Sequence, residues 1–186
     1  MTCWRHGILA LLGLFAGFGA VASADESRVW LFVDSSQRTV SVMKGDQRVE
    51  MFRGAAFGRG GVAPFRREGD GKTPMGVFYI SWVNTDSPYH RFFGLDYPAA
   101  SHAEEALRGQ AIDERTYHAI LDARRRGKVP PQNTALGGHI GIHGVGRNDP
   151  EDHRLFDWTL GCVALTDQQI DDLSGWVSLG TMVVIQ

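Results

Sequence analysis

The hydrophobic pattern predicts a β-rich first half. Residues 28–34 (RVWLFVD) are β-branched and aromatic, and residues 38–44 (RTVSVMK) alternate apolar and polar positions after a Ser-Ser-Gln turn. This pattern predicts a β-hairpin, which a short strand at about residues 48–53 extends. A glycine-rich loop over residues 54–71 and a strong strand over residues 77–83 follow.

The second half mixes helical and strand patterns. Apolar positions at helical spacing predict one helix within residues 101–127, which Gly127 ends. Thr166 and Gln169 match a capping box that opens another helix. Further strands are predicted over residues 137–144, 158–166 and 181–186. The predicted fold class is therefore mainly β with helical insertions (α+β).

The N-terminus carries a pattern of its own. Arg5 and His6 precede an apolar run from Ile8 to Val21, which ends in an Ala-Ser-Ala triplet. This order is typical of a secretory signal peptide, whereas a membrane anchor needs about 20 apolar residues to span the bilayer. We predict a signal peptide over residues 1–24 and a single domain over residues 25–186. The protein is then exported to the periplasm or cell envelope, with no stable membrane anchor after processing.

Charge and length narrow the classes of partner. The formal net charge of the 186 residues is −2, without the basic excess that binding to a phosphate backbone usually needs. No nucleic-acid partner is therefore predicted. The length suits one well-packed domain, which we expect to be a monomer.

Cysteine usage directs attention to one thiol. Processing after residue 24 would remove Cys3 and leave Cys162 unpaired, and an unpaired thiol in an oxidising compartment needs a reason. Catalysis is one such reason, and it needs a base nearby. The candidate bases are His139, His143 and His153. His139 and His143 are expected to share one face of a predicted strand.

The turn before Cys162 offers a second catalytic feature. Gly161 permits a tight backbone, which would expose the amides of Gly161 and Cys162 to hold an oxyanion. Two other interpretations remain open on the residues alone. An inert core thiol fits the apolar residues that follow it, and a zinc site of His139, His143 and Cys162 is chemically possible. No short-spaced ligand pair supports the zinc site, so no metal or cofactor is predicted.

Two motifs, in the correct order, resemble the L,D-transpeptidase catalytic domain family of the YkuD type. Fifteen positions separate His143 from the sequence Thr159-x-Gly161-Cys162, and the family signature places a histidine about that far before Ser/Thr-His-Gly-Cys. The upstream residues 72–76 (KTPMG) match the family's Thr-Pro-x-Gly turn. Leu160 stands at the signature's second histidine, and Ala164 stands where Asn or Arg usually follows. This variant resembles a branch of the family that lacks the second histidine.

The resemblance implies a β-sandwich that performs cysteine-dependent acyl transfer in the bacterial cell wall. Cys162 would be the nucleophile and His143 the base, with the Gly161 and Cys162 amides as the oxyanion hole and no cofactor. The implied substrates are peptidoglycan stem peptides that contain diaminopimelate. The alternatives are hydrolysis by the same chemistry, as an L,D-carboxypeptidase or in release of wall-attached protein, and a noncatalytic wall-binding module.

Further residues near the motif are candidates for substrate binding. An arginine in the loop between base and nucleophile can hold a stem carboxylate by paired hydrogen bonds, although ordinary solvation explains such a residue equally well. The candidates are His139, Arg147, Arg154, Asp157, Trp158 and Thr159.

Overall fold

The computed structural model describes residues 28–186. The predicted signal peptide over residues 1–24 lies outside the described residues. The strands are β1 (Val29–Asp34), β2 (Thr39–Lys44), β3 (Gln47–Arg53), β4 (Val62–Ala63), β5 (Thr73–Pro74), β6 (Gly76–Ser87), β7 (His90–Leu95), β8 (Gly141–His143), β9 (Val163–Ala164) and β10 (Met182–Ile185). The helices are α1 (Ala100–Arg108), α2 (Glu114–Arg125), α3 (Pro150–Leu155) and α4 (Asp167–Ser174).

Eight of these strands form a continuous sheet in the order β3-β2-β1-β10-β6-β7-β8-β9. The long strand β6 joins the two halves of this sheet, because its first residues pair with β10 and its later residues pair with β7. Most neighbours are antiparallel, but β1 pairs with β10 and β8 pairs with β9 in parallel. Strands β4 and β5 form a separate parallel pair. The parallel β8–β9 pair forms the edge that carries the histidine and cysteine motifs.

Alternate positions on the central strands build the core, as the period-2 pattern requires. These side chains are almost fully buried: Leu31, Val33, Val40, Val42, Phe78, Ile80, Val183 and Ile185. Burial of each contributes about 1.5–3 kcal/mol relative to exposure. The helices add apolar side chains to the same cluster, among them Ile120 of α2 and Ile170 of α4. The β8–β9 edge that carries the motifs is therefore continuous with a well-packed hydrophobic core.

Several predicted elements are confirmed. The hairpin is formed by β1 and β2, with Val33 opposite Val40, and β3 extends it. Helix α4 begins with the predicted capping box between Thr166 and Gln169, and β10 is the final strand. The fold class, mainly β with helical insertions, is also confirmed.

The helix predicted to end at Gly127 is confirmed as α2, but the prediction of only one helix within residues 101–127 is wrong, because α1 precedes it. Helix α1 ends at Gly109, and α2 begins after Asp113, whose carboxylate accepts a hydrogen bond from the Thr116 amide at 2.8 Å. Gln110 has a φ of 55°, which no α-helix tolerates. The buried positions of α1 are His102 and two alanines, and this small apolar stripe gave a weak periodic signal.

Two elements and three strand lengths also differ from expectation. Strand β7 was not predicted, and it pairs with β6 from Ile80 to Ser87. Strand β6 itself continues beyond its predicted end at residue 83, through residues that are largely exposed and polar. Helix α3 lies in the predicted polar loop, where Asp149 caps it and Pro150 begins it; six mostly polar residues show no apolar period. Strands β8 and β9 are shorter than predicted, because the backbone turns at glycines around them.

No helix within residues 28–186 has both the length and the apolar character needed to cross a membrane.

Candidate active site

The parallel pair β8–β9 brings the two sequence motifs together. Ile142 pairs with Val163 and His143 pairs with Ala164, so Cys162 lies just before β9, beside the start of β8. His143 and Cys162 both line one cleft of about 610 Å³. Residues that are 19 positions apart in sequence therefore share a site through strand pairing.

The turn before Cys162 requires glycine. Gly161 has a φ of 131°, a conformation that side chains other than glycine rarely adopt. A Cβ atom at this position would also lie 2.6 Å from the Lys72 carbonyl oxygen and 2.6 Å from Nη1 of Arg66. The Thr-x-Gly-Cys spacing is thus fixed both by backbone conformation and by close packing.

Two threonines hold the backbone of the cysteine in place. The Thr159 hydroxyl donates to the Cys162 carbonyl oxygen at 2.7 Å, and the Thr73 hydroxyl approaches the same oxygen at 3.4 Å. Thr73 Oγ1 in turn accepts a hydrogen bond from the Gly58 amide at 2.8 Å. The upstream KTPMG motif therefore lies directly behind the cysteine, and this position accounts for the two motifs occurring together.

The two amides that the sequence singled out differ in availability. The Gly161 N–H donates to Thr159 Oγ1 at 3.1 Å, so it already has an acceptor. Within the part of the chain that the structure describes, the Cys162 N–H makes no hydrogen bond. Of the two predicted oxyanion donors, the Cys162 amide is the one free to meet a ligand.

His143 is buried and oriented by its own backbone neighbour. Its Nδ1 lies 2.7 Å from the Gly144 carbonyl oxygen. Because a carbonyl oxygen only accepts, Nδ1 carries the proton and Nε2 holds the lone pair of a potential base. Burial lowers the pKa of His143 to about 4, so the imidazole is neutral near pH 7.

An aromatic cage surrounds this imidazole. The ring centroid of Tyr89 lies 4.4 Å from that of His143, and those of Phe92 and Trp158 both lie 5.7 Å away. Trp158 meets the histidine edge to face, and its Nε1–H donates to Nδ1 of the buried His153 at 3.3 Å. The cage excludes water from the ring and restricts its rotation.

The cysteine side chain is half-buried, and its thiol is protonated. Cys162 Sγ donates to the His139 carbonyl oxygen at 3.4 Å. Burial raises the pKa of Cys162 to about 11, with a smaller opposing effect from the Gly141 backbone and the Arg66 charge. Thiol and imidazole are therefore a neutral pair in this state, and a thiolate–imidazolium pair is disfavoured.

The expectation that His139 and His143 share a strand face is wrong. Strand β8 begins only at Gly141, and His139 has a left-handed φ of 55°. This conformation interrupts the strand alternation, so His139 is exposed whereas His143 is buried. His139 lines the cleft and offers its carbonyl oxygen to the thiol.

The remaining predicted substrate-binding residues occupy different places. Trp158 and Thr159 line the cleft, but Arg147, Arg154 and Asp157 do not. Asp157 accepts a hydrogen bond from the Phe57 amide at 2.8 Å and pairs with Arg38 at 3.0 Å. Arg154 pairs with Glu151 at 2.5 Å on exposed α3, and Arg147 is exposed.

Several residues of the cleft wall were not among the predicted site residues, and three of them lie close to His143 or Cys162. These three are Arg66, Tyr89 and Phe92. Phe92 belongs to β7, which the sequence pattern did not predict, and it pairs with His143 of β8. Arg66 lies in a glycine-rich loop, where nothing in the sequence predicts burial.

Metal binding was the other chemistry that the sequence left open. Among residues 28–186, no group of three or more His, Cys, Asp or Glu side chains is arranged to hold a metal ion.

The fold and the cleft define a mainly β protein with a cysteine–histidine site. Its sequence matches the L,D-transpeptidase catalytic domain family (YkuD) over residues 28–185. The chain therefore belongs to this family. A search of curated protein sequences gave no match.

Solved structures show the same fold. The helical cell shape determining protein Pgp2 of Campylobacter jejuni has a TM-score of 0.54 at 17% identity, over 89% of this chain and 52% of that protein. Bd1075 of Bdellovibrio bacteriovorus gives 0.52 at 21% identity, over 86% and 47%. An L,D-transpeptidase of Enterococcus faecium, solved as its C442S mutant, gives 0.50 at 16%, over 86% and 50%. The chain thus spans about half the length of these proteins.

Proposed function

We propose that this protein is a cysteine-dependent L,D-transpeptidase that acts on diaminopimelate-containing stem peptides of peptidoglycan in the cell envelope. The observation that supports this proposal most is the arrangement of Cys162 and His143 on the wall of one cleft. The Gly144 carbonyl directs the lone pair of the imidazole to Nε2. Family membership supplies the reaction class, and the cleft supplies a nucleophile and a base for it.

The first half of the reaction forms a thioester. The Cys162 thiol leaves its hydrogen bond to the His139 carbonyl and gives its proton to His143 Nε2 as Sγ attacks the carbonyl carbon of the third stem residue, at its L-centre. The free Cys162 amide donates to the oxyanion that develops. The C–N bond to the terminal D-alanine then breaks, and His143 returns the proton to the leaving amine.

The second half transfers the acyl group. The amine of a second stem attacks the thioester carbonyl, loses a proton to His143 and displaces the cysteine sulfur, which regains that proton. Water in place of the amine would give hydrolysis by the same steps. The cage around His143 supports amine transfer, because the aromatic rings packed against the buried imidazole limit the water that reaches the base.

The substrate-binding proposal centres on residues that line the cleft. His139, Trp158 and Thr159 meet this condition, and we propose that they border the donor stem. Leu160 is 65% exposed at the same cleft, so an apolar surface faces the substrate where the family signature has a histidine. The polar contacts to the stem must then come from other groups in the cleft.

Muropeptide analysis of purified sacculi, after incubation with the protein, tests the proposal. Wild type is expected to add crosslinks through the third stem residue, and Cys162→Ala is expected to add none. The matched control is His118→Gln, which changes an exposed residue of α2 away from the cleft and is expected to act as wild type. Accumulated tripeptides or released wall protein would instead identify a hydrolase. Unchanged muropeptides with wild-type protein would contradict catalysis and favour a binding module.

A further inference from the structure

Arg66 is a buried cation on the cleft wall that lacks hydrogen-bond partners. The residue is 4% exposed, and neither Nε nor Nη1 has an acceptor in the described chain. The nearest carboxylate is that of Asp70, whose Oδ1 lies 3.9 Å from Nε, beyond hydrogen-bond length. The Asp70 oxygens already accept the Arg67 and Lys72 amides at 2.8 and 2.9 Å.

The surroundings place this guanidinium beside the nucleophile. Its Cζ lies 5.8 Å from the centroid of the Tyr97 ring. Its terminal nitrogens pack against Gly137 and Gly161, where a Cβ would contact Nη2 at 3.3 Å and Nη1 at 2.6 Å respectively. Gly161 immediately precedes Cys162, and the Arg66 charge acts on the thiol. A ligand that meets Arg66 is therefore adjacent to the reacting sulfur.

A buried guanidinium without acceptors is costly. It cannot lose its proton at any physiological pH, and a buried charge without hydrogen bonds destabilises the state that contains it. An anion that entered the cleft would offset this cost. Carboxylates are the anions that guanidinium groups pair with most often in proteins. A carboxylate in the cleft would first meet Nη2, because Nε and Nη1 are themselves buried.

The other charged residues of the cleft do not offer the same environment. Arg59 and Glu68 line the cleft but are exposed, where solvent screens their charge. Arg66 alone among these three is shielded from water.

We propose that Arg66 forms a carboxylate subsite that holds an anionic acyl donor next to Cys162. The identity of the donor as a stem peptide rests on the proposed function, whereas the preference for an anion at Cys162 does not. A stem that ends in D-alanine carries two carboxylates close to the scissile bond. One belongs to the leaving D-alanine and the other to the side chain of the third residue.

The first test uses wild-type protein and three synthetic tetrapeptide stems. One stem is unmodified, one is amidated at the terminal D-alanine and one is amidated at the side-chain carboxylate of the third residue. Loss of the ion pair is expected to lower kcat/KM about 10- to 100-fold for one amidated stem. That stem identifies the carboxylate which Arg66 binds. Equal use of all three stems would overturn the proposal.

The second test needs no peptide substrate. Cys162 is alkylated with iodoacetate, which is anionic, and with iodoacetamide, which is neutral, and mass spectrometry reads the peptide that contains Cys162. The ratio of the two rates isolates attraction of the anion, because a change in thiol pKa affects both reagents alike. We expect Arg66→Gln to lower this ratio about tenfold, and Arg59→Gln to change it less than about twofold.

The two tests separate this proposal from the proposed function. If no stem reacts at all, the proposed substrate is wrong, and the alkylation ratio still decides on the subsite. A ratio in Arg66→Gln equal to that of wild type would overturn the subsite. The iodoacetamide rate and a thermal unfolding curve report whether the variant is folded, and Arg66→Lys keeps the charge if glutamine is not tolerated. We expect Arg66→Lys to retain most of the ratio.

Discussion

At the scale of single residues, reactivity depends on how the cysteine and the histidine are held. Strand pairing brings Cys162 and His143 to one cleft, while burial keeps the thiol protonated and the imidazole neutral. Under the proposed function, proton transfer is then coupled to attack on the substrate, and the thiol stays protonated until a carbonyl carbon arrives. Among residues 28–186, Cys162 is the one free cysteine, and its protonated state protects it, because thiols oxidise and alkylate mainly as thiolates.

The ionisation of Cys162 can be measured directly. Because burial raises the pKa of Cys162 to about 11, the rate of alkylation by iodoacetamide is expected to keep rising above pH 9, well past the ordinary cysteine midpoint of about 8.5. His143→Gln is the control, and it is expected to leave the midpoint in place. A plateau already reached at pH 7, and lost in His143→Gln, would show a thiolate–imidazolium pair instead.

The glycine before the cysteine allows a second prediction at this scale. Gly161→Ala adds both left-handed strain and a contact 2.6 Å from the Lys72 carbonyl oxygen. Gly180→Ala is the matched control, since Gly180 has a φ of 84° with nothing within 4 Å of an added Cβ. Strain alone costs about 1–2 kcal/mol, and we expect Gly161→Ala to lose about 1–3 kcal/mol more. Equal thermal unfolding of the two variants would contradict this account.

The sequence predicted the central residues better than their surroundings. Motif spacing singled out both Cys162 and His143, because strand pairing keeps such spacing regular. The same spacing could not show that the Gly161 amide is taken by Thr159, or that His139 turns away from the strand. The sequence did not predict Arg66 as a site residue, because its burial comes from packing between distant segments. Local sequence carries no record of such packing.

At the scale of elements, the edge of the sheet is braced by the helix that follows it. The first residue of α4, Asp167, accepts a hydrogen bond from the Gly146 amide at 2.9 Å. Gly146 lies in the turn that follows His143 and has a φ of 58°. The N-terminus of α4 thereby fixes the segment whose Gly144 carbonyl orients the imidazole.

The effect of the Asp167–Gly146 hydrogen bond on the site can be measured separately from the stability of α4. Asp167→Ala removes the bond to Gly146, and we expect it to slow acylation of Cys162 by a carbapenem about tenfold through a misplaced His143. Thr166→Ala is the control, because it removes the cap of α4 at a cost of about 1 kcal/mol without touching that turn. Equal acylation rates in the two variants would contradict a role for the brace.

Elements with strong local signals were predictable, and those that depend on tertiary pairing were not. The β1–β2 hairpin and α4 carry alternation and a capping box within their own residues. Strand β7 instead depends on its neighbours, because Gly94 leaves room for the Trp82 ring of β6. The break between α1 and α2 depends on Asp113, which caps the N-terminus of α2. The spacing of apolar residues alone does not show this break.

At the scale of the whole molecule, the chain shares its fold with structural neighbours at low sequence identity, and its cleft carries a clear residue pattern. The structural neighbours share 16–21% identity over most of this chain, so the fold persists while most side chains differ. The likeness covers about half of each neighbour. The family match over residues 28–185 includes every residue that lines the cleft.

Buried histidines give the whole molecule a characteristic pH dependence. Burial lowers the pKa of His102, His143 and His153, so below about pH 6.5 the unfolded chain binds more protons than the folded one. The free energy of unfolding must then fall as pH falls. His143, with a pKa of about 4, contributes about 2 kcal/mol to this loss at pH 5.

Thermal unfolding at pH 5 and pH 7 measures this dependence. We expect a lower Tm at pH 5, with a smaller difference in His102→Gln than in the wild type. The exposed His118 supplies the control, since His118→Gln is expected to keep the full difference. A Tm at pH 5 equal to or above that at pH 7 would contradict the assignment of buried neutral histidines.

The central claim is that Cys162 forms an acyl-enzyme, and mass spectrometry after exposure to a carbapenem tests it most directly. The β-lactam carbonyl stands in for the stem carbonyl, and opening of the ring leaves the whole molecule attached to sulfur. We expect wild-type protein to gain one carbapenem mass on the peptide that contains Cys162, and Cys162→Ala to gain none. Wild-type protein without an adduct, or an equal adduct on Cys162→Ala, would contradict the account.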